Sequence, residues 1–193
     1  MRNAEFDKEQ VLRSAMNAFM NKGYANTSMQ DLKKATGLHP GSIYCAFENK
    51  RGLLLEAIEQ YRVDRSAEFE QFFSASKKTT DNLKSYLDNV VIECLSCDNT
   101  QACLMTKALN ETAEQDIEIQ QIISHNLSRL QHAFTEKFEQ AKKEQSISTD
   151  KDCEHLARYF LMGIYGLRTF AQTHPKPEVL EQLAAQLYQD VLR

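Results

Sequence analysis

Residues Thr27 to Lys50, TSMQDLKKATGLHPGSIYCAFENK, constrain this chain more than any other stretch. Ser28 followed by Asp31 reads as a capping box that opens a helix. Met29, Leu32 and Ala35 then place apolar groups on one face at helical spacing. Gly37 stands where that helix must end in a positive-φ conformation. Pro40 suits the first turn of a second helix carrying Ile43, Tyr44 and Phe47, and Asn49 is placed to cap a third. Two short helices joined by a Gly-containing turn describe a helix-turn-helix, which lays its second helix in the DNA major groove.

Charge decides whether such a head has a plausible polyanion partner. The net charge of −4 argues against one, but the distribution is uneven. Residues 1–52 hold eight Lys/Arg and five Asp/Glu, whereas the rest holds fifteen and twenty-two. A mildly basic head on an acidic body directs the polyanion to the head alone. No apolar run approaches the ~20 residues that span a bilayer, and MRNAEFDKEQ has no hydrophobic signal core. A cytoplasmic protein with no membrane partner is therefore expected. Its five cysteines are then thiols. No paired zinc-ligand spacing occurs, so neither metal nor cofactor is expected.

The remaining segments keep helical period, and none alternates as a strand, so the fold class is all-α. Asp7 with Gln10 opens a first helix that ends at Gly23. A fourth, from Asn49, carries Leu54, Ile58, Tyr61, Phe69, Phe72 and Phe73 and runs to a polar break at Ser74–Asp81. Leu83 to Leu95 form the next, ending at Cys97-Asp98-Asn99, and a short helix passes through Leu104 and Leu109. Ile119, Ile123, Leu127, Leu130, Phe134, Phe138 and Ala141 mark a long helix. Thr149 and Asp152 read as a further capping box, opening HLARYFLMGIYGLRTFA. That helix is apolar almost all round and so needs partners on more than one side. Pro177 opens the last helix. Gly163 and Gly166 allow another backbone to approach, so the last two helices are expected to pack against a second copy, with Phe160, Gly163, Leu167, Leu183 and Leu187 in the interface. A central helix within a single bundle is the alternative reading of the same pattern.

Two runs carry a family resemblance: Phe19, Lys22, Gly23, Tyr24, Thr27 and Ser28 in F-x-x-K-G-Y-x-x-T-S, and Ala35, Gly37, Leu38, Gly41, Ser42, Ile43, Tyr44, Phe47 and Lys50 in A-x-G-L-x-x-G-S-I-Y-x-x-F-x-x-K. They cover the first 55 or so residues densely, and the chain resembles the TetR family of one-component transcriptional regulators. The resemblance implies an all-α homodimer with a three-helix head and a variable ligand-binding body. The expected division is a DNA-binding domain over 1–50 and an effector-binding and dimerisation domain over 51–193. The implied function is a repressor bound to a pseudo-palindromic double-stranded operator and released by a small molecule or by thiol modification. Activation instead of repression stays open, because it depends on operator position.

In the family the Tyr44 and Lys50 positions contact phosphates, and both roles are carried over. Gly41 and Ser42 are small enough for a helix nearing base edges. Thr27 and Ser28, at a helix N-terminus, are expected to offer hydroxyls and N–H groups to a phosphate. His39, Pro40 and Cys45 point to the groove if the motif docks as usual, with Gln30 and Lys34 at the flank. Pro40 stands where many relatives have Lys, and Cys45-Ala46 replaces a common aromatic or His pair, so a different operator is expected.

For the body, Cys103 lies near the start of a short helix, with Lys107 four residues on. A helix N-terminus and a cation both favour thiolate. The segment resembles the NemR-type, electrophile- and oxidant-responsive branch, which makes Cys103 a sensor candidate and a buried structural thiol the alternative. Cys94-x-x-Cys97 lacks the βαβ context of a redox pair. A reversible ligand is the other route, with Tyr61, Tyr86, His125 and Tyr165, beside Phe134 and Tyr159, lining an apolar cavity. No phosphate loop, nucleophile elbow or acid/base constellation is present, so the chain is read as a regulator and not an enzyme. A helical thiol enzyme or a non-DNA-binding adaptor are the rivals.

Overall fold

The computed structural model describes residues 6–74, 77–96, 103–112 and 114–193. These residues form nine α-helices and no strand: α1 (Lys8–Lys22), α2 (Met29–Thr36), α3 (Pro40–Phe47), α4 (Lys50–Phe73), α5 (Thr79–Leu95), α6 (Leu104–Thr112), α7 (Ile117–Lys143), α8 (Cys153–Ala171) and α9 (Pro177–Leu192). Two compact units result: Met1–Ser66 with Ala102–Ile123, and Ala67–Gln101 with Ser124–Arg193. Helices α4 and α7 give residues to both. The packing division thus differs from a functional boundary after residue 50, because α6 and the beginnings of α4 and α7 pack with the N-terminal helices.

Local chemistry explains most helix ends. Asp7 accepts from the Gln10 N–H (3.1 Å) and opens α1. Ser28 and Asp31 make the reciprocal capping box of α2, and Gly37 closes that helix in the left-handed conformation. The Asn49 carboxamide oxygen accepts from the Gly52 N–H (2.9 Å) at the start of α4. Two expectations change. α5 begins at Thr79, inside the expected polar break, where Glu144 accepts from both the N–H and the hydroxyl of Thr79. The start of α8 is capped by Asp152 alone, which accepts from the N–H groups of Glu154 and His155, so Thr149 has no part in a box.

The first unit is centred on Val11, Leu12, Ala15, Met16, Phe19, Leu32, Ile43, Phe47, Leu53, Leu54 and Ile58, with Leu104 and Met105 of α6 and Ile119 and Ile123 of α7 also buried. Each fully buried side chain of this size contributes roughly 1.5–3 kcal/mol relative to exposure. Charged links run along its surface. Arg13 binds Asp64 and Glu9. Arg51 grips Asp116 through two nitrogens (2.5 and 2.9 Å) and reaches Glu118 (2.6 Å). The Arg51 guanidinium holds the Asp116 carboxyl down to about 2. Its folded pKa lies below the unfolded one, so its stabilisation is present above the ordinary carboxylate range and is lost as pH falls toward 2. Asp116→Asn is expected to flatten the acid limb of a stability–pH curve between pH 4 and about 2, read by thermal melts at constant ionic strength. An unchanged limb would remove this pair from the acid response.

The second unit is an aromatic bundle. Phe134 of α7 meets Phe69 (5.0 Å), Tyr86 (5.3 Å) and Phe160 (5.3 Å), all edge-on. Phe138, Leu83, Leu87, Leu156, Ile164, Leu180 and Val191 complete the same core. Arg168 of α8 donates to Glu93 of α5 (2.6 Å), a largely buried ion pair.

Candidate nucleic-acid interface

α3 has one inward and one outward face. Ile43 and Phe47, one turn apart, are buried and seat the helix. Tyr44, Cys45 and Ala46 lie between them in sequence and are exposed, Tyr44 to 49%. His39 is exposed at the N-cap and makes no side-chain cap bond. Gly41 is also exposed, with Pro40 and Ser42 half-buried. The start of α3 therefore has no side chain over its first N–H groups, the arrangement that suits a phosphate. No acidic residue falls in α3, and Lys33 and Lys34 end α2 beside it.

The joint after α3 is tight. Glu48 has φ 65° and ψ −48°, and the Asn49 N–H donates to the Phe47 carbonyl (2.7 Å). These features define a γ-turn with positive central φ, a rare and strained form. A Cβ on Gly52 would stand 2.1 Å from that same Phe47 oxygen, so the turn closes only over a residue without one. The sequence carries no local signal of this role of Gly52, since it depends on a backbone five residues away.

Three expected DNA contacts have other employment. Thr27 is buried, and its hydroxyl donates to the Gly23 carbonyl (2.6 Å) instead of facing a phosphate. Ser28 is exposed, but its hydroxyl and N–H both engage Asp31 in the capping box. Asp31 also receives Lys22 (2.6 Å), and this ammonium with the Ser28 groups holds its carboxyl well below the usual range. The Lys50 ammonium donates to the carbonyls of Tyr24 (2.8 Å) and Thr27 (3.0 Å) and lies 4.5 Å from the centre of the Tyr24 ring. In this protein Lys50 closes the loop between α1 and α2. The outward residues His39, Gly41, Tyr44 and Cys45 are the ones the structure leaves facing away.

The sensor candidates divide between the units. Tyr61 and Cys103 come together in the first, where the Tyr61 hydroxyl donates to the Cys103 sulfur (3.6 Å) and both are buried. Lys107 does not serve the thiol, since its ammonium donates to the Met20 carbonyl (2.6 Å). In the second unit Tyr86 is core, and Tyr165 is half-buried against that core. His125 is exposed. Burial pushes the Cys94 thiol up, away from reactivity. Cys97 lies outside the described residues.

Of the five residues expected between copies, Leu183 alone is well exposed. Phe160 is fully buried, because its ring fills the space between Phe134 and Phe138. Leu167 and Leu187 are also buried, and Gly163 backs onto Leu187. The outward large apolar groups of this helix pair are Met162, Phe170 and Leu183, with Val179 at the start of α9. A shallow groove there is also lined by Gly166, Gln186 and Asp190. Among the described residues no helix is long and apolar enough to cross a membrane.

Residues 11–57 match the model of the family described as bacterial regulatory proteins, tetR family. The chain is 28% identical over 159 residues to an uncharacterized HTH-type transcriptional regulator, YezE, of Bacillus subtilis (strain 168), covering 82% of each. It is 27% identical over 181 residues to the HTH-type transcriptional repressor ComR of Escherichia coli (strain K12), covering 93% of this chain and 86% of that one. Among solved structures, it superposes on a cysteine mutant of the TetR family transcriptional regulator CifR complexed with 26-bp double-strand operator DNA, with TM-score 0.86, 23% identity and 98% of both chains covered. A TetR transcriptional regulator of Chloroflexus aurantiacus gives TM-score 0.82 at 22% identity, covering 94% and 91%. The matched family and relatives are regulators and not enzymes.

Proposed function

We propose that this chain is a TetR-type DNA-binding transcriptional regulator, a homodimeric repressor of a pseudo-palindromic operator. The carrying observation is the outward face of α3, with Tyr44, Cys45 and His39 exposed on a helix seated by Ile43 and Phe47. Gly41 and Ser42 are small enough at its start for close approach to base edges. The DNA-binding part is assigned to residues 1–50 and the effector and dimerisation part to 51–193. The likeness to a repressor, ComR, favours repression over activation. The exposed Met162, Phe170 and Leu183 favour self-association through α8 and α9. Two heads on one face of B-DNA then require half-sites ~34–36 Å apart or a multiple of that spacing.

Release follows from an effector that favours a non-binding state of the body. Two routes are proposed: a reversible small molecule and modification of Cys103. The second is the NemR-like reading, supported by the Tyr61–Cys103 contact at the start of α6. A group added to the sulfur would displace the Tyr61 hydroxyl.

The test selects duplexes from random DNA with purified protein, with and without N-ethylmaleimide or hypochlorite. Because Cys45 is exposed on α3 itself, the treatment arm uses Cys45→Ser and Cys45→Ser/Cys103→Ser proteins. Palindromes lost on treatment of the first and kept by the second establish Cys103 as the switch. Loss in both removes Cys103 from the reading, and failure to select any palindrome removes operator binding. Tyr44→Phe deletes one hydroxyl from a half-exposed side chain and is expected to weaken the selected operator about 10-fold, as loss of a hydrogen bond to a charged phosphate does. Its melting temperature should not move. Unchanged affinity in a filter-binding titration would clear Tyr44 of phosphate contact.

A further inference from the structure

α6 lies within residues 51–193, yet two of its side chains are spent on the head. The Lys107 ammonium donates to the Met20 carbonyl (2.6 Å), near the end of α1, where helix carbonyls lack intrahelical partners. Glu111 is four residues on and shares that face of α6. Its Oε2 accepts from the Ala25 N–H (2.8 Å). Its carboxylate also lies over Gly23, where an added Cβ would stand 2.3 Å from Oε1. On the α4 side the Lys50 ammonium takes the carbonyls of Tyr24 and Thr27. The Thr27 hydroxyl takes the Gly23 carbonyl. The loop from Gly23 to Thr27 is therefore held by side chains of α6 and α4.

That loop sets the angle between α1 and α2, and α2 with α3 forms the reading head. We propose that Glu111 and Lys107 are positioning residues for operator binding: Lys107 holds the end of α1 and Glu111 holds the α1–α2 loop, and together they fix the pose of the helix-turn-helix. Both act through backbone groups, Lys107 through the Met20 carbonyl and Glu111 through the Ala25 N–H. Cys103 directly precedes α6, and its carbonyl accepts the Lys107 N–H (3.0 Å), so a change at the thiol acts on the same helix. The inference rests on the operator-binding reading above.

The experiment compares the full-length protein with Glu111→Ala, Glu111→Gln and Lys107→Met. Operator affinity and non-specific duplex affinity are titrated well below the melting temperature, and amide exchange is followed at Ala25. Glu111→Ala is expected to bind operator about 3- to 10-fold more weakly, the effect of one hydrogen bond. Non-specific affinity should not change, because the phosphate-facing groups are intact. Exchange at Ala25 should speed up. Glu111→Gln keeps an acceptor oxygen and is expected to recover most of the affinity, which a general loss of stability would not allow. Lys107→Met tests the other end of the clamp if Glu111→Ala does not fold. Operator affinity unchanged in both Glu111→Ala and Lys107→Met overturns the proposal, as does equal loss of specific and non-specific binding. If the parent protein selects no operator while Ala25 still loses protection in Glu111→Ala, the clamp stands as structure, and operator binding is the reading that fails.

Discussion

A carboxylate at both Met162 and Leu183 is expected to leave the protein monomeric and its operator affinity lower by about 100-fold or more. Met162 is 62% exposed, Leu183 46% and Phe170 42%, all on the outward side of α8 and α9. Adjacent Gly166 leaves open space where a side chain would stand. In a two-fold interface each substitution occurs twice on facing surfaces, so like charges meet and are desolvated together. Operator binding then loses the linkage between half-sites, an avidity of 10²–10⁴ that needs no change at the DNA surface. The monomer itself should remain folded, because none of these side chains lies in the core. Sedimentation equilibrium gives the association state, circular dichroism the fold, and a DNA titration the affinity. A variant that remains dimeric would assign self-association to another surface.

Phe134→Ala is expected to destabilise the second unit by about 3–5 kcal/mol, the range for deleting a buried aromatic ring. Its ring is fully buried and meets Phe69, Tyr86 and Phe160 at 5.0–5.3 Å. Edge-on aromatic pairs add roughly 0.5–1.5 kcal/mol each beyond area burial, and helices from several parts of the chain share this one ring. Whole domains are stable by only about 5–15 kcal/mol, so such a loss leaves the unit close to unfolding at ordinary temperature. Phe160→Ala should behave similarly and leave the dimer constant of the surviving folded fraction unchanged. Urea titration followed by tyrosine fluorescence, there being no tryptophan, measures both. A loss under about 1.5 kcal/mol for Phe134→Ala would show that the cluster repacks around the gap.

Helix existence was legible in the sequence because capping chemistry is local. Ser28 with Asp31, Asp7 with Gln10, and Pro40 and Pro177 at helix starts act within one turn. The same locality misled at Thr149 and Asp152, where the spacing is right but Asp152 alone caps α8. Side-chain direction was less legible. A helix apolar all round says that α8 is buried on several sides, and not which side faces its own bundle, so the pattern does not show that Phe160 fills the core between Phe134 and Phe138. Thr27 has the composition of a phosphate contact and the surroundings of a core residue. Lys50, Lys107 and Glu111 bind backbone atoms 23 to 87 residues away, and no spacing rule reaches that far.

The joint at Glu48 and Gly52 divides the head into parts that can and cannot be exchanged. Between residues 47 and 52 the backbone passes so closely that the turn has no room for a methyl group. Tyr44, Cys45 and Ala46 project from a helix already anchored on either side by Ile43 and Phe47. Surface substitutions of that kind usually move stability by no more than about 0.5 kcal/mol. On the proposed operator-binding reading, Cys45 and Ala46 are thus free to vary, by selection or at the bench, while the frame that presents them stays fixed. A library randomised at 45 and 46 is expected to keep folded heads, and one randomised at 48–52 chiefly to give misassembled ones.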